Sequence, residues 1–177
     1  MRRFDAGLRA VVLWDEAWCV RFNHVVAIPW LGAFFRAVSR LGDGVAWYVL
    51  MAALLAVHGA AAVPAVLHMA AVAIAGIAVY KWLKSRTSRP RPYEIQSAIQ
   101  QGANALDRFS FPSGHTLHAL SFSIVVIAYY PAIAWLVAPF ALLVAASRLV
   151  LGLHYPTDVL AGAAIGAAIA VTSFLLV

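Results

Sequence analysis

The chain has 177 residues, 64% of them hydrophobic and only 11% charged, with a mean hydropathy of +0.86. Soluble domains are about half apolar, so this composition excludes an ordinary soluble protein and predicts an integral membrane one, and no polar block is large enough to build a second core beside the single domain expected over residues 1–177. The 13 Lys and Arg outnumber the 7 Asp and Glu, for a net charge of +6, but many of the cations cluster between Lys81 and Arg91, which marks a local site better than a nucleic-acid surface.

The opening "MRRFDAGLRAVVLWDEAW" has no signal-peptide pattern: Asp15 and Glu16 follow a short apolar stretch with no small-residue cleavage site, and no cleaved leader is expected. Cys19 is the one cysteine, so no internal disulfide can form. Through residue 42, Val12, Trp18 and Phe22 are mixed with Arg9, Asp15, Glu16 and Arg21. A charge at the centre of a spanning helix costs about 2.5–3.5 kcal/mol, so residues 1–42 are expected to form interfacial helices; a sixth, charge-bearing span is the alternative. "IPWLGAFFRAVSRLG" is amphipathic, with Arg36 and Arg40 toward headgroups and Trp30, Leu31, Phe34 and Phe35 toward lipid or the bundle.

From Gly44 to Tyr80 the only ionisable side chains besides Tyr are His58 and His68. As one helix that run would be about 55 Å long, far beyond a hydrocarbon layer of ~30 Å. It must fold back, and "HGAAAVP" is the natural turn, giving spans of roughly 43–60 and 62–84. A second double-length run, Thr116 to Gly152, is divided by "YYP" at Tyr129 to Pro131, and a last span covers Pro156 to Val177. The predicted fold is therefore an all-α transmembrane bundle of five spans, 43–177, behind an interfacial N-terminal segment. This alternation puts the 85–113 loop, the Leu151 to Tyr155 turn and the beginning of the first span on one membrane face.

Three motifs share that face. In "KSRTSRPRP", Lys84 is followed after six residues by Arg91-Pro92, and two Arg-Pro steps hold the chain extended so that the guanidinium groups are aimed; a headgroup-binding basic patch would look the same. In "FPSGHTLHAL", Ser113 suits an N-cap, Gly114 lets a ligand approach the backbone, and the free N–H groups of a helix start attract anions, with His115 in the first turn. A plain cap with an interfacial histidine is the simpler reading of that motif. In "SRLVLGLHYPTD", Arg148 closes one span, Gly152 suits a C-terminal cap and Pro156 the next first turn, which sets His154 just before a helix whose first turn holds Asp158. Asp158 could equally serve the helix dipole, and a metal would need a third ligand that the spacing does not offer. Together, three cations, backbone donors and two histidines on one face match phosphoryl transfer, in which neutralising spreading negative charge matters most.

The ordered triple Lys84-x6-Arg91-Pro92, Pro112-Ser113-Gly114-His115 and Ser147-Arg148-x5-His154-x3-Asp158 resembles the signature of the type 2 phosphatidic acid phosphatase superfamily, over about residues 43–177. The resemblance implies that His154 is a nucleophile forming a phosphohistidine, that Asp158 holds its other ring nitrogen, and that His115 protonates the leaving oxygen and then activates water. It implies that Lys84, Arg91, Ser113, Gly114 and Arg148 cradle the phosphate, with no metal or other cofactor. Arg89-Pro90 precedes Arg91-Pro92, so the register of the first motif is open to misreading, although only Arg91 keeps the spacing from Lys84. The family's larger membrane members carry an extra N-terminal span, which interfacial helices replace here.

The function expected from the resemblance is a lipid-phosphate phosphatase of the bacterial inner membrane with its site facing the extracytoplasmic side. Undecaprenyl pyrophosphate is the favoured substrate, phosphatidylglycerol phosphate or phosphatidic acid next. The expected partners are that substrate and membrane lipids, with no nucleic acid and no obligate protein partner. A lipid phosphotransferase and a non-catalytic lipid-binding protein are the alternatives. His24, His58, His68 and His118 are expected to make polar contacts inside or at the rim of the bundle, and Trp47, Trp82 and Trp135 to serve as interface or packing residues.

Overall fold

The computed structural model describes residues 2–176, with side chains from Arg9 onward; residues 1 and 177 of the predicted domain lie outside the described residues. Every regular element among them is helical. The chain runs α1 (Arg2–Asn23), α2 (Pro29–Arg40), α3 (Ala46–His58), α4 (Val63–Thr87), the short α5 (Pro92–Ile95), α6 (Gly114–Tyr129), α7 (Ala134–Val150) and α8 (Pro156–Ser173).

The breaks fall where the sequence places them. Helix α3 ends at His58, a 3-10 turn covers Gly59–Ala62, and α4 starts with Pro64 in its first turn, where a missing N–H costs nothing. Helix α6 ends at Tyr129, and Pro131–Ile133 form a 3-10 turn before α7. Between α2 and α3 the helical path kinks at Asp43 and Gly44. Among the described residues three stretches are long and apolar enough to cross a membrane, Pro29–Ile95, Pro131–Val150 and Pro156–Ser173, with Gly114–Tyr129 a shorter apolar helix. The first of them contains α2, α3 and α4 and turns back at Gly59.

Helix α6 is the hub, packed on α4, α7 and α8. The core between them is made of Met69, Val72, Phe122, Val125, Val126, Val137 and Val144, capped by Trp47, whose ring meets Phe122 at 5.2 Å and Phe140 at 5.5 Å. Of the three tryptophans assigned to packing or interface, Trp47 is core, while Trp82 and Trp135 are exposed on the outside with Leu67, Ile74 and Leu142. Such an apolar exterior suits lipid contact. On α2, Arg36, Arg40, Trp30 and Phe34 are all exposed, in keeping with an amphipathic segment.

The α6–α8 contact is close because α8 presents Gly162 and Gly166, one turn apart, to the backbone of α6. A Cβ on Gly162 would sit 2.5 Å from the carbonyl oxygen of Ser113, and one on Gly166 would collide with that of Leu117. Small residues four apart let two helices approach to backbone contact, which gives dispersion energy where lipid supplies no hydrophobic drive. This spacing also fixes Ser113, and so the start of α6, against α8, which begins beside His154.

Asp15, one of the charges mixed into the N-terminal segment, is fully buried, as is Cys19, and Asn23 is buried with them. These three lie four residues apart on one face of α1, which docks on α7 and α8. A buried carboxylate is tolerated there because it is fully paired, as described below.

Overpacking at the α6–α8 contact should cost about 1–3 kcal/mol. Gly166→Val is accordingly expected to lower the thermal midpoint of the detergent-solubilised protein, read by intrinsic tryptophan fluorescence. An unchanged midpoint would mean the helices do not meet there.

Candidate active site

A cavity of about 710 Å³ opens at the end of the bundle where α4, α6 and α7 carry their polar residues. Lys84, Arg91, Gly114, His115, Arg148 and His154 all line it, so six of the eight residues singled out by the three motifs share one chamber. Its other wall is apolar, formed by α3 and α4 residues such as Trp47, Met51, Met69 and Ile74.

Each side chain is delivered by a helix end. Lys84 lies in the last turn of α4, which stops at Ser88 in the left-handed conformation. His115 is in the first turn of α6, Arg148 in the last turn of α7, and His154 in the turn before α8. That turn reverses at Gly152, with φ +70°, confirming the expected cap; a Cβ there would be strained and would meet Ile99 and the Gln100 carbonyl. The Leu153 and His154 amides both donate to the Arg148 carbonyl, tying the His154 turn to that cation.

Arg91 and Arg148 are almost wholly buried. Arg91 donates to the Leu153 carbonyl at 2.7 Å and the Phe109 carbonyl at 3.3 Å, and reaches Asp107 Oδ1 at 2.7 Å. Its Nη1 also stands 3.5 Å from His154 Nε2, which directs that ring nitrogen toward the cations. Arg148 donates to Ser39 Oγ of α2, while its Nε has no partner. Lys84 Nζ lies 2.6 Å from Asp107 Oδ2.

The remaining two candidates stand behind the chamber. Ser113 is fully buried, and its hydroxyl accepts from the Thr116 amide at 3.5 Å and pairs with the Thr116 hydroxyl at 2.9 Å. It caps α6 and is not among the cavity-lining residues. Asp158 Oδ2 accepts from the Tyr155 amide at 2.8 Å and lies 3.7 Å from His154 Nδ1, within ion-pair reach but longer than a hydrogen bond. Catalytic hydrogen bonds are often this loose before a substrate tightens them. The register of the first motif is resolved by geometry: Arg91 lines the cavity, whereas Arg89 turns away and binds Asp158 at 2.7 Å.

Four contributors escaped the sequence reading. Asp107 bridges Lys84 and Arg91; Asp43, at the α2–α3 kink, places Oδ1 3.4 Å from His115 Nε2; Ser39 holds Arg148; and Asp15 holds Arg89. The "GDG" interruption ahead of an apolar helix was the only local signal for Asp43. Nothing local marks Asp107, Ser39 or Asp15, because their partners are distant in sequence. Among the other histidines, His68 bonds Tyr129 and Ser173 inside the bundle, as expected, whereas His58 stacks on Tyr130 and His118 lines the chamber between Tyr80 and Phe122.

Asp107 would be pushed up by its burial, but the hydrogen bond and charge of Lys84, with Arg91 and His154 behind them, more than offset this and leave its carboxyl below the usual value. It is thus an anion lodged between the two cations that the motifs assign to phosphate. His154 is driven well below the ordinary histidine value by burial, and by Arg148, Arg91 and Lys84 in the same direction. The folded imidazole is neutral, so its Nε2 lone pair is available when Nδ1 carries the proton.

The sequence profile of the PAP2 superfamily matches residues 64–177. The chain is 38% identical over 133 residues to decaprenylphosphoryl-5-phosphoribose phosphatase of Mycolicibacterium smegmatis, covering 72% of this chain and 68% of that protein. It is 36% identical over 98 residues to the undecaprenyl-diphosphatase BcrC of Bacillus subtilis, covering 54% of this chain and 49%, about half, of that protein. Among solved structures it superposes on the transmembrane PAP2-type phosphatidylglycerolphosphate phosphatase of Bacillus subtilis with a TM-score of 0.71 at 25% identity, over 92% of this chain and 84% of that one. Aquifex aeolicus LpxE matches with a TM-score of 0.68 at 25% identity, over 86% and 92%.

Two outcomes follow from the site's charges. Asp107→Asn removes an anion that competes for Lys84 and Arg91, and should tighten binding of orthovanadate several-fold in titration calorimetry; weaker binding would show that the carboxylate organises the site instead. The unfolded chain protonates His154 near pH 6.5 whereas the folded chain does not, so below that pH the unfolded state holds one more proton and the folded state loses about 1.4 kcal/mol per pH unit. The fall in thermal midpoint on acidification should therefore be shallower in His154→Gln than in the wild type.

Proposed function

The chain belongs to the PAP2 superfamily and is a membrane phosphatase acting on phosphoric esters, and on that premise we propose that it removes the terminal phosphate from a polyprenyl-linked lipid, undecaprenyl pyrophosphate first. The observation that carries this reading is the shared chamber: the two motif histidines and three buried cations on one side, an apolar wall on the other. A charged headgroup and a long hydrocarbon chain need those two environments side by side.

In the proposed reaction the cations Lys84, Arg91 and Arg148 hold the phosphoryl oxygens, with the α6 N-terminus at Gly114 adding backbone donors. His154 Nε2 attacks phosphorus. A P–N bond forms as the P–O bond to the lipid breaks, and His115 gives its proton to the departing oxygen. His115, now neutral, then takes a proton from water, whose oxygen attacks phosphorus; the P–N bond breaks, phosphate leaves, and both rings return to their starting states. Asp43 Oδ1, 3.4 Å from His115 Nε2, is the carboxylate placed to meet that ring when it carries its proton. Asp158 faces the Nδ1 proton of His154 throughout.

A phosphomonoester on a polyprenyl-linked sugar is the second reading. It is favoured by the higher identity and longer overlap with the decaprenylphosphoryl-5-phosphoribose phosphatase than with the undecaprenyl-diphosphatase. Phosphatidylglycerol phosphate and phosphatidic acid come after both. For the membrane arrangement we propose five crossings, α3, α4, α6, α7 and α8, with α1 and α2 at the interface. The bundle would sit in the bacterial inner membrane with the chamber toward its outer side.

The test is phosphate release by the purified protein in detergent from undecaprenyl pyrophosphate, a polyprenyl phosphosugar, phosphatidylglycerol phosphate and phosphatidic acid. His154→Ala is expected to lose at least about 10³-fold in kcat on the preferred lipid, as for removal of other catalytic nucleophiles, and to accumulate no acid-labile phosphoenzyme. Release at the wild-type rate by that variant would end the proposal. A reporter fused after Gln101 should read extracytoplasmic, and a cytoplasmic signal would invert the arrangement.

A further inference from the structure

Arg89, inside the first motif's stretch but not at one of its signature positions, and Asp15 of α1 form a densely bonded ionic cluster with Asp158. Arg89 Nη1 donates to Asp158 Oδ1 at 2.7 Å and to Thr157 Oγ1 at 2.8 Å, and its Nη2 donates to Asp15 Oδ2 at 2.7 Å. Asp15 in turn accepts from the Thr157 amide at 3.0 Å and from the Thr157 hydroxyl. The guanidinium carbon lies over the Tyr155 ring, 3.9 Å from its centroid. Both carboxylates are fully buried, and Arg89 itself is partly so.

The same face of α1 grips the nucleophile turn at two further points. Cys19 Sγ lies 3.6 Å from the His154 carbonyl, where a thiol donates weakly. Asn23 Nδ2 donates to the carbonyls of Gln100 and Val150, and its Oδ1 accepts from the Gln100 amide at 2.7 Å. Asp15, Cys19 and Asn23 thus place one helical stripe along the segment 150–157. An apolar patch of Cys19, Ile99 and Tyr155 seals the contact from water.

Charge counting distinguishes this cluster from a simple strut. Two buried carboxylates face one guanidinium, so one negative charge is left over, offset in part by the N-terminus of α8 on which Asp158 and Thr157 sit. Asp158 spends Oδ1 on Arg89 and one lone pair of Oδ2 on the Tyr155 amide, which fixes the carboxylate plane with Oδ2 toward His154 Nδ1, 3.7 Å away. A neutral strut would need one acid fewer. An excess anion beside Nδ1 is what an imidazole needs when its other nitrogen forms a bond to phosphorus and positive charge develops on the ring.

We propose that Arg89 and Asp15 are positioning residues for the nucleophile: they lock Asp158 in the orientation and ionised state that hold His154 with Nε2 toward the phosphate, and they make α1 part of the catalytic apparatus. This inference rests on the phosphoryl-transfer reading above. Arg89 works through Asp158 and Asp15 works through Arg89, so neither touches substrate, and binding of the lipid should be indifferent to both.

The experiment measures kcat and KM for phosphate release in detergent, on the lipid the wild type prefers, for Arg89→Met, Arg89→Lys, Asp15→Asn and the double variant Asp15→Asn with Arg89→Met. Rates are expressed per mole of protein that elutes as a single folded species. Arg89→Met should lower kcat about 10- to 100-fold, the usual range for an outer group that orients a working imidazole, with KM within about twofold of wild type. Arg89→Lys, which cannot bridge two carboxylates, should fall between, and the double variant should lose no more than Arg89→Met alone, since Asp15 acts through the guanidinium. Wild-type kcat in Arg89→Met, a rise in KM equal to the fall in kcat/KM, or additive losses in the double variant would each overturn the proposal. So would loss of the folded species in all three single variants, because the cluster would then be shown to be only structural. A wild-type protein that releases phosphate from none of the lipids would defeat the functional reading itself, a result distinct from any of these.

Discussion

Three cations buried at the end of an apolar bundle govern the rest of the molecule. Lys84, Arg91 and Arg148 are each less than a tenth exposed, and an uncompensated charge in such surroundings is heavily disfavoured. Each is therefore surrounded by acceptors drawn from distant parts of the chain: Asp107 and two loop carbonyls around Arg91, Asp107 again at Lys84, Ser39 at Arg148. The loop between α5 and α6 and the N-terminal half of the chain are needed to satisfy these groups, quite apart from any reaction. Yet the satisfaction is incomplete. Arg148 Nε and His154 Nδ1 lack hydrogen-bond partners, and Asp107, the common counter-ion, is the one of these groups most open to solvent. A site that binds phosphate needs strong cations whose native counter-ion can be displaced.

The scaffold delivers that chemistry through helix ends. A helix terminus carries unpaired backbone groups and a partial charge, so clustering the ends of α4 and α7 with the starts of α6 and α8 puts donors and cations in one place. The glycine contact of α8 on α6 brings the histidine-bearing starts of those helices together, since the Ser113 carbonyl rests on Gly162 and the Ser113 amide donates to the Asp158 carbonyl at 3.0 Å. Ser113 then belongs to the frame: it caps the helix that carries His115 and registers that helix against the one following His154. Its hydroxyl does not face the chamber.

The PAP2 profile begins at residue 64, yet the structural likeness to the Bacillus subtilis phosphatidylglycerolphosphate phosphatase covers 92% of the chain and so extends well before it. The N-terminal third is part of the same fold. It supplies Asp43 beside His115 and Ser39 at Arg148, along with the Asp15, Cys19 and Asn23 stripe along the turn that carries His154. A helix that carries charges in its middle is a poor spanning segment, and the buried Asp15 explains part of that pattern: the charge is there to meet Arg89.

By itself the sequence determined the membrane environment, the helical class, the turns at Gly59 and Pro131, and the three motifs, because each depends on neighbours a few residues apart: hydropathy over a window, the φ of proline and glycine, capping at a helix start. Six of the eight motif residues do meet in one chamber, since helices of fixed rise between fixed turns leave their ends little choice. Only the tertiary structure decided that Arg91 rather than Arg89 faces that chamber, that Ser113 points into the frame, and that Asp15, Ser39, Asp43 and Asp107 complete the ionic set. The physical reason is that a buried charge selects its partner by distance in space, and the Asp15–Arg89, Ser39–Arg148 and Asp43–His115 pairs span 74, 109 and roughly 70 positions of chain, a separation at which local pattern carries no trace of the contact.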